Sequence, residues 1–137
     1  MAQIAVNPLF MKDVVFEVGT DSYEKHVSSV VITPATSPAT WKGLNPEATF
    51  TNVGAATWTV DISFAQDWET ANSLALYLFN NQGETKTVTF KPQSGSGPSV
   101  DIDVIIVAGS IGGSIDSFAE TTVSLPGQGQ PVLVPAV

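Results

Sequence analysis

The sequence predicts a mainly β fold with one α-helix, an extended loop and terminal arms. Apolar and polar residues alternate with a period of two in several segments, which indicates half-buried strands. Val, Ile and Thr are abundant, and their branched side chains suit a pleated surface. One stretch replaces this period with apolar residues at helical spacing, and it predicts the single helix.

The clearest strand is Thr57–Phe64, where apolar and polar side chains alternate without interruption. Its polar side carries Thr57, Thr59, Asp61 and Ser63. In Val100–Val107, Asp101 and Asp103 take the polar positions before the segment becomes apolar on both faces. Further strands are expected at Val14–Val18, Val27–Thr33, Glu84–Phe90 and Phe118–Leu125.

The helix is expected between Asp67 and Gly83 and should cover one face of a sheet. Asp67 can cap its amino end, and Gly83 suits the left-handed residue that follows a helix. The apolar stripe consists of Ala71, Leu74, Ala75 and Leu78. These signals predict about three turns, near the mean length of a helix.

The chain is expected to form one domain, residues 1–137, with an amino-terminal arm at 1–8, a long loop at 34–54 and a carboxyl-terminal arm at 126–137. Gln93–Ser99 is expected to be a hairpin tip. The loop holds three prolines and two glycines, and loops of this length are usually functional or disordered. Its large apolar side chains, Trp41, Leu44 and Phe50, lie in a segment too polar to bury them. We therefore expect them to anchor a contact between subunits.

Composition excludes several kinds of partner and site. The chain has no cysteine and no arginine, and five lysines against thirteen carboxylates leave a net charge of −8. Scattered lysines cannot form a duplex-binding surface, and disulfide scaffolds and thiolate sites are absent. No apolar stretch approaches the roughly 18 to 20 residues that span a bilayer, so no membrane insertion is expected. Charged residues reach only 13%, and interface cores are poor in charge, so the composition favours assembly.

The chain carries no pattern typical of an enzyme, a cofactor site or a metal site. His26 is the only histidine and is best interpreted as a surface or packed side chain. The Asp101–Asp103 pair lies in a strand rather than in the ligand-rich loop that calcium prefers. The glycine-rich pieces near Gly109 and Gly127 match no phosphate-binding or nucleophile motif and indicate turns.

The order of features resembles phage major tail proteins, the tail tube proteins of long-tailed phages. An amphipathic strand ends in an acidic turn with a tryptophan. It is followed in order by a helix, a threonine-rich strand with a proline after it, and a glycine turn. The similarity covers roughly residues 55 to 134. The pieces that carry it are Asp67–Glu69, Ser73–Leu78, Phe90–Pro92, Gly112–Gly113 and Val123–Gly127.

The resemblance implies a small β-sandwich with barrel-forming sheets, flanked by one α-helix. It also implies a structural virion protein without catalytic residues or cofactor. Such proteins form hexameric rings that stack into the tail tube, a conduit for genome delivery. The implied partners are further copies of the chain, the tape-measure protein, tail terminator and tip proteins, and viral double-stranded DNA that passes without specific binding. The implied location is the virion tail, assembled in the host cytoplasm. A tube without a contractile sheath is the first expectation, although contractile-tail tubes share the same sandwich.

Alternation leads to one hypothesis about the channel: Thr57, Thr59, Asp61, Ser63, Asp101 and Asp103 face the lumen. Six chains would carry −48 by arithmetic on the formal charge of −8, and a negative lumen would repel phosphate. The polar face could equally be the tube exterior. Two other structural classes stay open, namely another virion β-sandwich (head decoration or immunoglobulin-like) and a pilus- or adhesin-type domain.

Overall fold

The computed structural model describes residues 2–93 and 97–135 of the chain. These residues contain ten strands and one helix. The strands are β1 (Val15–Val18), β2 (Asp21–Ser22), β3 (Val27–Ala35), β4 (Pro38–Lys42), β5 (Thr49–Val53), β6 (Thr57–Ala65), β7 (Thr85–Lys91), β8 (Ser99–Ile105), β9 (Glu120–Pro126) and β10 (Val132–Val134), and the helix is α1 (Leu74–Asn80). The mainly β prediction is confirmed. Met1, the middle of the predicted Gln93–Ser99 tip and the last two residues of the predicted carboxyl-terminal arm lie outside the described residues.

Two antiparallel sheets form the sandwich. The five-stranded sheet has the order β10-β8-β7-β1-β2, and the three-stranded sheet has the order β3-β6-β9. Their inward side chains form one apolar core, which includes Phe16, Val60, Ile62, Val88 and Val104. The alternation in β6 therefore has the predicted cause, since every second residue packs between the sheets.

The two sheets are joined along one side, where the chain leaves β9. The Gly127 amide donates a hydrogen bond of 2.7 Å to the Trp58 carbonyl, and Gly127 also forms an isolated bridge with Val104 of β8. A Cβ at this glycine would lie 2.8 Å from the Trp58 oxygen and 2.8 Å from Cδ1 of Ile102. Only a residue without a side chain fits this seam.

The segment predicted as a long loop, 34–54, contains the antiparallel strands β4 and β5. They continue the β3–β6 pair outward, so residues 27–65 form one long hairpin. Between the pairs Ala35–Thr57 and Pro38–Val53, the chain advances by three residues on one strand and by four on the other. The extra residue indicates a β-bulge. The prolines that favoured a loop are tolerated because both strands of this two-stranded extension are edge strands, where a missing N–H need not break a ladder. We call β4, β5 and their connecting tip, residues 38–53, the distal hairpin.

The helix is shorter than predicted and begins later. It spans seven residues, with Ser73 as its amino-terminal cap. Asp67 does not cap it, because one carboxylate oxygen accepts the amides of Glu69 and Thr70 at 3.0 and 3.1 Å and stabilises a separate turn. Asn72 then adopts a left-handed φ of 63°, which no continuous helix can contain.

The helix packs into the core of the sandwich through one face. Leu74, Ala75 and Leu78 are buried in the core. Its Tyr77 lies beside Tyr23, with ring centroids 6.1 Å apart. Beyond the helix, the Gly83 amide donates to the Ile106 carbonyl at 2.8 Å, with φ of 92° at this glycine. The helix is thereby tied to the end of β8.

Candidate assembly surfaces

The outer face of the three-stranded sheet is polar and contains four of the predicted lumen residues. Thr57, Thr59, Asp61 and Ser63 all point away from the core on β6. Hydroxyl groups link them to neighbouring strands: Ser124 Oγ donates to Asp61 Oδ1, and the hydroxyls of Ser63 and Thr122 lie 2.8 Å apart. Thr57 and Thr59 donate to carbonyls of β3 at 3.4 and 3.5 Å.

Charge on this face is sparse and entirely negative. Asp61 and Glu120 are its charged members, and the register places no lysine beside them. The face consists of Ser29, Val31, Thr33 and Ala35 from β3, of Thr57, Thr59, Asp61, Ser63 and Ala65 from β6, and of Glu120, Thr122, Ser124 and Pro126 from β9. It is therefore a smooth surface of small hydroxylated side chains.

The other two predicted lumen residues lie on the opposite side of the sandwich. Asp101 and Asp103 point outward from β8 in the five-stranded sheet, because Ile102 and Val104 between and beside them are buried. Asp103 Oδ1 accepts the Thr87 hydroxyl at 2.6 Å. The structure thus brings together the four β6 residues and separates them from the β8 pair. Alternation identifies the outward residues of a strand but not the sheet that the strand joins.

Within residues 2–93 and 97–135, both edges of the three-stranded sheet are long and pair with no further strand. β3 offers nine residues and β9 seven, and β9 meets β8 through the single Val104–Gly127 bridge. The five-stranded sheet ends instead in β2, with two residues, and β10, with three. Long exposed edges invite pairing with another chain, whereas short edges discourage it. The three-stranded sheet therefore has the longer unpaired edges of the two.

Both strands of the distal hairpin are exposed along their whole length, and its two aromatic side chains lie on one side. Trp41 and Phe50 are cross-strand partners with ring centroids 5.9 Å apart, and they are 63% and 64% exposed. On the other side the Thr40 and Thr51 hydroxyls lie 3.1 Å apart. Leu44 is fully exposed at the tip. The three predicted contact residues therefore share one projection, with the two aromatic rings adjacent.

An apolar cleft of about 380 Å³ lies near the base of the long hairpin. It combines side chains from both sheets with the segment that leads into β10. Its lining consists of Ile32, Trp58, Phe90, Val100, Gln130, Pro131 and Leu133. Sequence reasoning missed this cleft because its members come from distant segments, and no local pattern marks them. We call it the apolar cleft.

The amino-terminal segment is a second exposed apolar projection. Ile4 and Val6 are 92% and 82% exposed, and Phe10 is held near the end of β7 by a 3.3 Å hydrogen bond from Gln93 Nε2 to its carbonyl. Next to this segment, a more polar groove of about 550 Å³ separates residues 11–16 from the start of β3. Lys12, Asp13 and Glu24 contribute charge to its lining.

The titratable side chains with shifted pKa values lie near the helix. Burial, aided by the charge of Asp21, raises the pKa of Tyr23 to about 12. The Tyr23 hydroxyl donates to the Asn72 carbonyl at 3.2 Å. Hydrogen bonds from Thr70, and then from the Glu69 amide, lower the pKa of Asp67. His26 stands edge-on to the Tyr23 ring at 5.5 Å. These contacts stabilise a corner of the fold.

Two further tests bear on the kind of site. Within residues 2–93 and 97–135, no group of three or more His, Cys, Asp or Glu side chains is placed to hold a metal ion. Over the same ranges, no helix is long and apolar enough to cross a membrane.

Comparison with known proteins gives a match at the level of the fold. No protein-family model matches the sequence, and no curated protein does. Among solved structures, the chain is similar to the sheath/tube terminator of an extracellular contractile injection system, PVC, seen by cryo-electron microscopy in its extended state. The TM-score is 0.68 at 12% sequence identity, over 95% of this chain and 99% of that one. The two chains share their fold over essentially their whole length.

Proposed function

We propose that this chain is a structural subunit of a phage-like tail, which forms hexameric rings around a channel and stacks them into the tail tube. The observation that carries the proposal is the three-stranded sheet, with its two long free edges and its polar outer face. The tube would conduct the genome to the host as part of a virion tail assembled in the host cytoplasm. The fold shared with a sheath/tube terminator supports a tail-associated role.

Ring closure follows from the free edges. If β9 of one copy pairs with β3 of the next, every subunit uses both edges, and the closed barrel has none left to aggregate. Within the subunit β3 and β9 run in the same direction, because each is antiparallel to β6. Rotation about the ring axis preserves strand direction, so the junction between copies would be a parallel pair. Parallel pairs are slightly less stable per residue, which fits assembly that depends on concentration.

The polar outer face is then the channel wall. Thr57, Thr59, Asp61 and Ser63 would face the lumen, and Asp61 and Glu120 would give a ring of six copies twelve carboxylates, two from each chain. A wall with negative charge and no lysine does not retain DNA, because phosphates are repelled. Asp101 and Asp103 would face outward on the other sheet. The lumen would hold the tape-measure protein before double-stranded DNA passes.

A second candidate is a terminator that closes the end of a tube with a single ring. The similarity to the PVC sheath/tube terminator favours it, because that match covers nearly all of both chains. The two candidates share the ring and differ in stacking. A tube subunit extends into filaments at high concentration, whereas a terminator stops at one ring and binds the ends of preformed tubes.

Engineered cysteines at the two free edges test the ring directly, because the chain has no cysteine of its own. Val31 on β3 and Ser124 on β9 both flank Asp61, so within one copy they are two strands apart. This separation of roughly 10 Å exceeds the reach of a disulfide. The Val31→Cys/Ser124→Cys variant, with Val31→Cys/Thr122→Cys as a second register, should therefore cross-link only between copies.

Mild oxidation of the concentrated double variants should give a denaturing-gel ladder that ends at a closed hexamer. Each single-cysteine variant is the matched control and can give no more than a dimer. A ladder without a closed product, or no cross-links at either register in a self-associating protein, would count against edge-to-edge rings. A protein that stays monomeric at every concentration would instead support one of the other β-sandwich classes.

A further inference from the structure

We propose that the distal hairpin of one copy docks in the apolar cleft of a second copy, with the Trp41 and Phe50 rings as the inserted group. This inference rests on the proposed function, because it names the contact that supplements edge pairing between subunits. It commits to one occupant for the cleft, a second copy of this chain.

The distal hairpin has the properties of an inserted group. Trp41 and Phe50 are adjacent, mostly exposed and positioned by strand pairing rather than by a loose loop. Aromatic side chains supply much of the energy at interface centres, where they fill pockets on the partner. The hairpin itself leaves both rings largely uncovered, at 63% and 64% exposure, and the Thr40 and Thr51 hydroxyls lie on its opposite side.

The apolar cleft has the properties of the receiving site. Six of its seven lining residues are apolar, and Gln130 supplies the polar member. Its volume of about 380 Å³ lies in the range of pockets that enclose a small ligand or a large side chain. The groove beside β3 is larger, but Lys12, Asp13 and Glu24 line it, so it matches an aromatic pair poorly.

The distal hairpin cannot fill the cleft of its own chain. Trp41 is the ninth residue after Ile32, which lines the cleft. An extended strand spans about 30 Å over nine residues. Trp41 is 63% exposed and is not among the residues that line the cleft, so the hairpin is not folded back into it. A projection and a cleft at two different places on one molecule make a heterologous contact, which propagates head to tail around a ring or along a filament. This is the kind of symmetry that the proposed ring requires.

Two variants separate the two halves of the contact. Trp41→Ala removes the inserted ring, and Leu133→Glu places a charge at the cleft, where Leu133 is 65% exposed and contributes little to the monomer core. Thr40→Ala and Val132→Glu are the matched controls, since each changes the same strand on its opposite side. Circular dichroism of dilute protein should show unchanged folding for all four variants.

Sedimentation at increasing concentration should show that Trp41→Ala and Leu133→Glu each raise the dissociation constant for self-association roughly 30-fold or more. The two controls should stay within about threefold of the unmodified chain. A mixture of the two defective variants should form a heterodimer, because the intact hairpin of Leu133→Glu fits the intact cleft of Trp41→Ala. The open ends of this heterodimer carry one defective hairpin and one defective cleft, so the docking contact cannot add a third copy.

Four outcomes would overturn the inference. If Trp41→Ala weakens association while Leu133→Glu does not, the hairpin docks elsewhere. If both variants weaken association but their mixture forms no heterodimer, the contact is not heterologous. If neither has an effect while the unmodified chain forms rings, this inference fails and the proposed function stands. If the unmodified chain never associates, the proposed function fails as well.

Discussion

The Gly127 amide and the Trp58 carbonyl are joined by a hydrogen bond of 2.7 Å, and this contact ties the exit of β9 to the start of β6 at the seam between the sheets. A methyl group at position 127 would meet the Trp58 oxygen at 2.8 Å, and backbone cannot move as a flexible side chain can. The seam therefore depends on the absence of a side chain at this position.

Gly127→Ala should reduce the free energy of unfolding by about 1 to 3 kcal/mol, the usual effect of forcing extra volume into a packed site. Denaturant unfolding measures this directly. Gly54→Ala is the control, because the nearest atom to its added Cβ would lie 3.8 Å away, an ordinary contact. Equal stability of Gly127→Ala and Gly54→Ala would show that the seam is not tightly packed.

The helix contributes to stability through its buried face. Leu78 is fully buried, so Leu78→Ala should lower the free energy of unfolding by about 2 to 5 kcal/mol through lost burial and the cavity that remains. The neighbouring Phe79 is 53% exposed, and Phe79→Ala should have a clearly smaller effect despite the larger truncation. If the two variants unfold at the same denaturant concentration, the helix does not pack into the core as described.

The six strands expected from alternation all form, within two residues of their predicted bounds. Alternation succeeds there because each strand buries one face in the same core. It failed at β4 and β5, where neither face is buried and Pro38 favoured a loop. The predicted helix started too early because Asp67 can accept hydrogen bonds in a turn as well as at a helix cap. No local sequence pattern predicted the left-handed conformation of Asn72.

The sequence predicted only the part of the candidate site that lies on a single strand. Thr57, Thr59, Asp61 and Ser63 could be placed on one face because they belong to one strand. Asp101 and Asp103 have the same period, but their strand joins the other sheet, and only the topology decides that. The partnership of Trp41 with Phe50 likewise depends on hairpin register, which the sequence of a suspected loop does not supply.

Tyr23 predicts a dependence of stability on alkaline pH. Its folded pKa of about 12 lies above the ordinary value of 10.0, so the neutral phenol stabilises the folded state fully below pH 10. This contribution is lost as pH rises from 10 to about 12. Tyr23→Phe should lose about 0.5 to 1.5 kcal/mol at neutral pH with its hydrogen bond to Asn72, and its stability should fall less steeply above pH 10. Denaturant titrations at several pH values test both parts. An equally steep loss of stability above pH 10 in Tyr23→Phe and in the unmodified chain would show that Tyr23 does not carry this dependence.

Asp67 predicts the opposite dependence at acidic pH. Hydrogen bonds from Thr70 and Glu69 lower its folded pKa below the ordinary value of 3.8, so the carboxylate stabilises the fold above that pH. The contribution disappears as pH falls through the lower, folded value. Asp67→Ala should therefore reduce the melting temperature at pH 7, and the difference from the unmodified chain should shrink below about pH 4. Asp67→Asn keeps an acceptor for the turn and should retain part of the stability. A difference that stays constant with pH would show that the charge plays no part.

Electron microscopy of the concentrated, purified chain tests the central claim most directly, because it reports both assembly and orientation. We predict closed rings of six copies, alone or stacked, with β3, β6 and β9 forming the channel wall and Asp61 facing the lumen. Compact monomers at every concentration would contradict the account. Rings whose channel wall is the five-stranded sheet, with Asp61 on the outside, would contradict it as well.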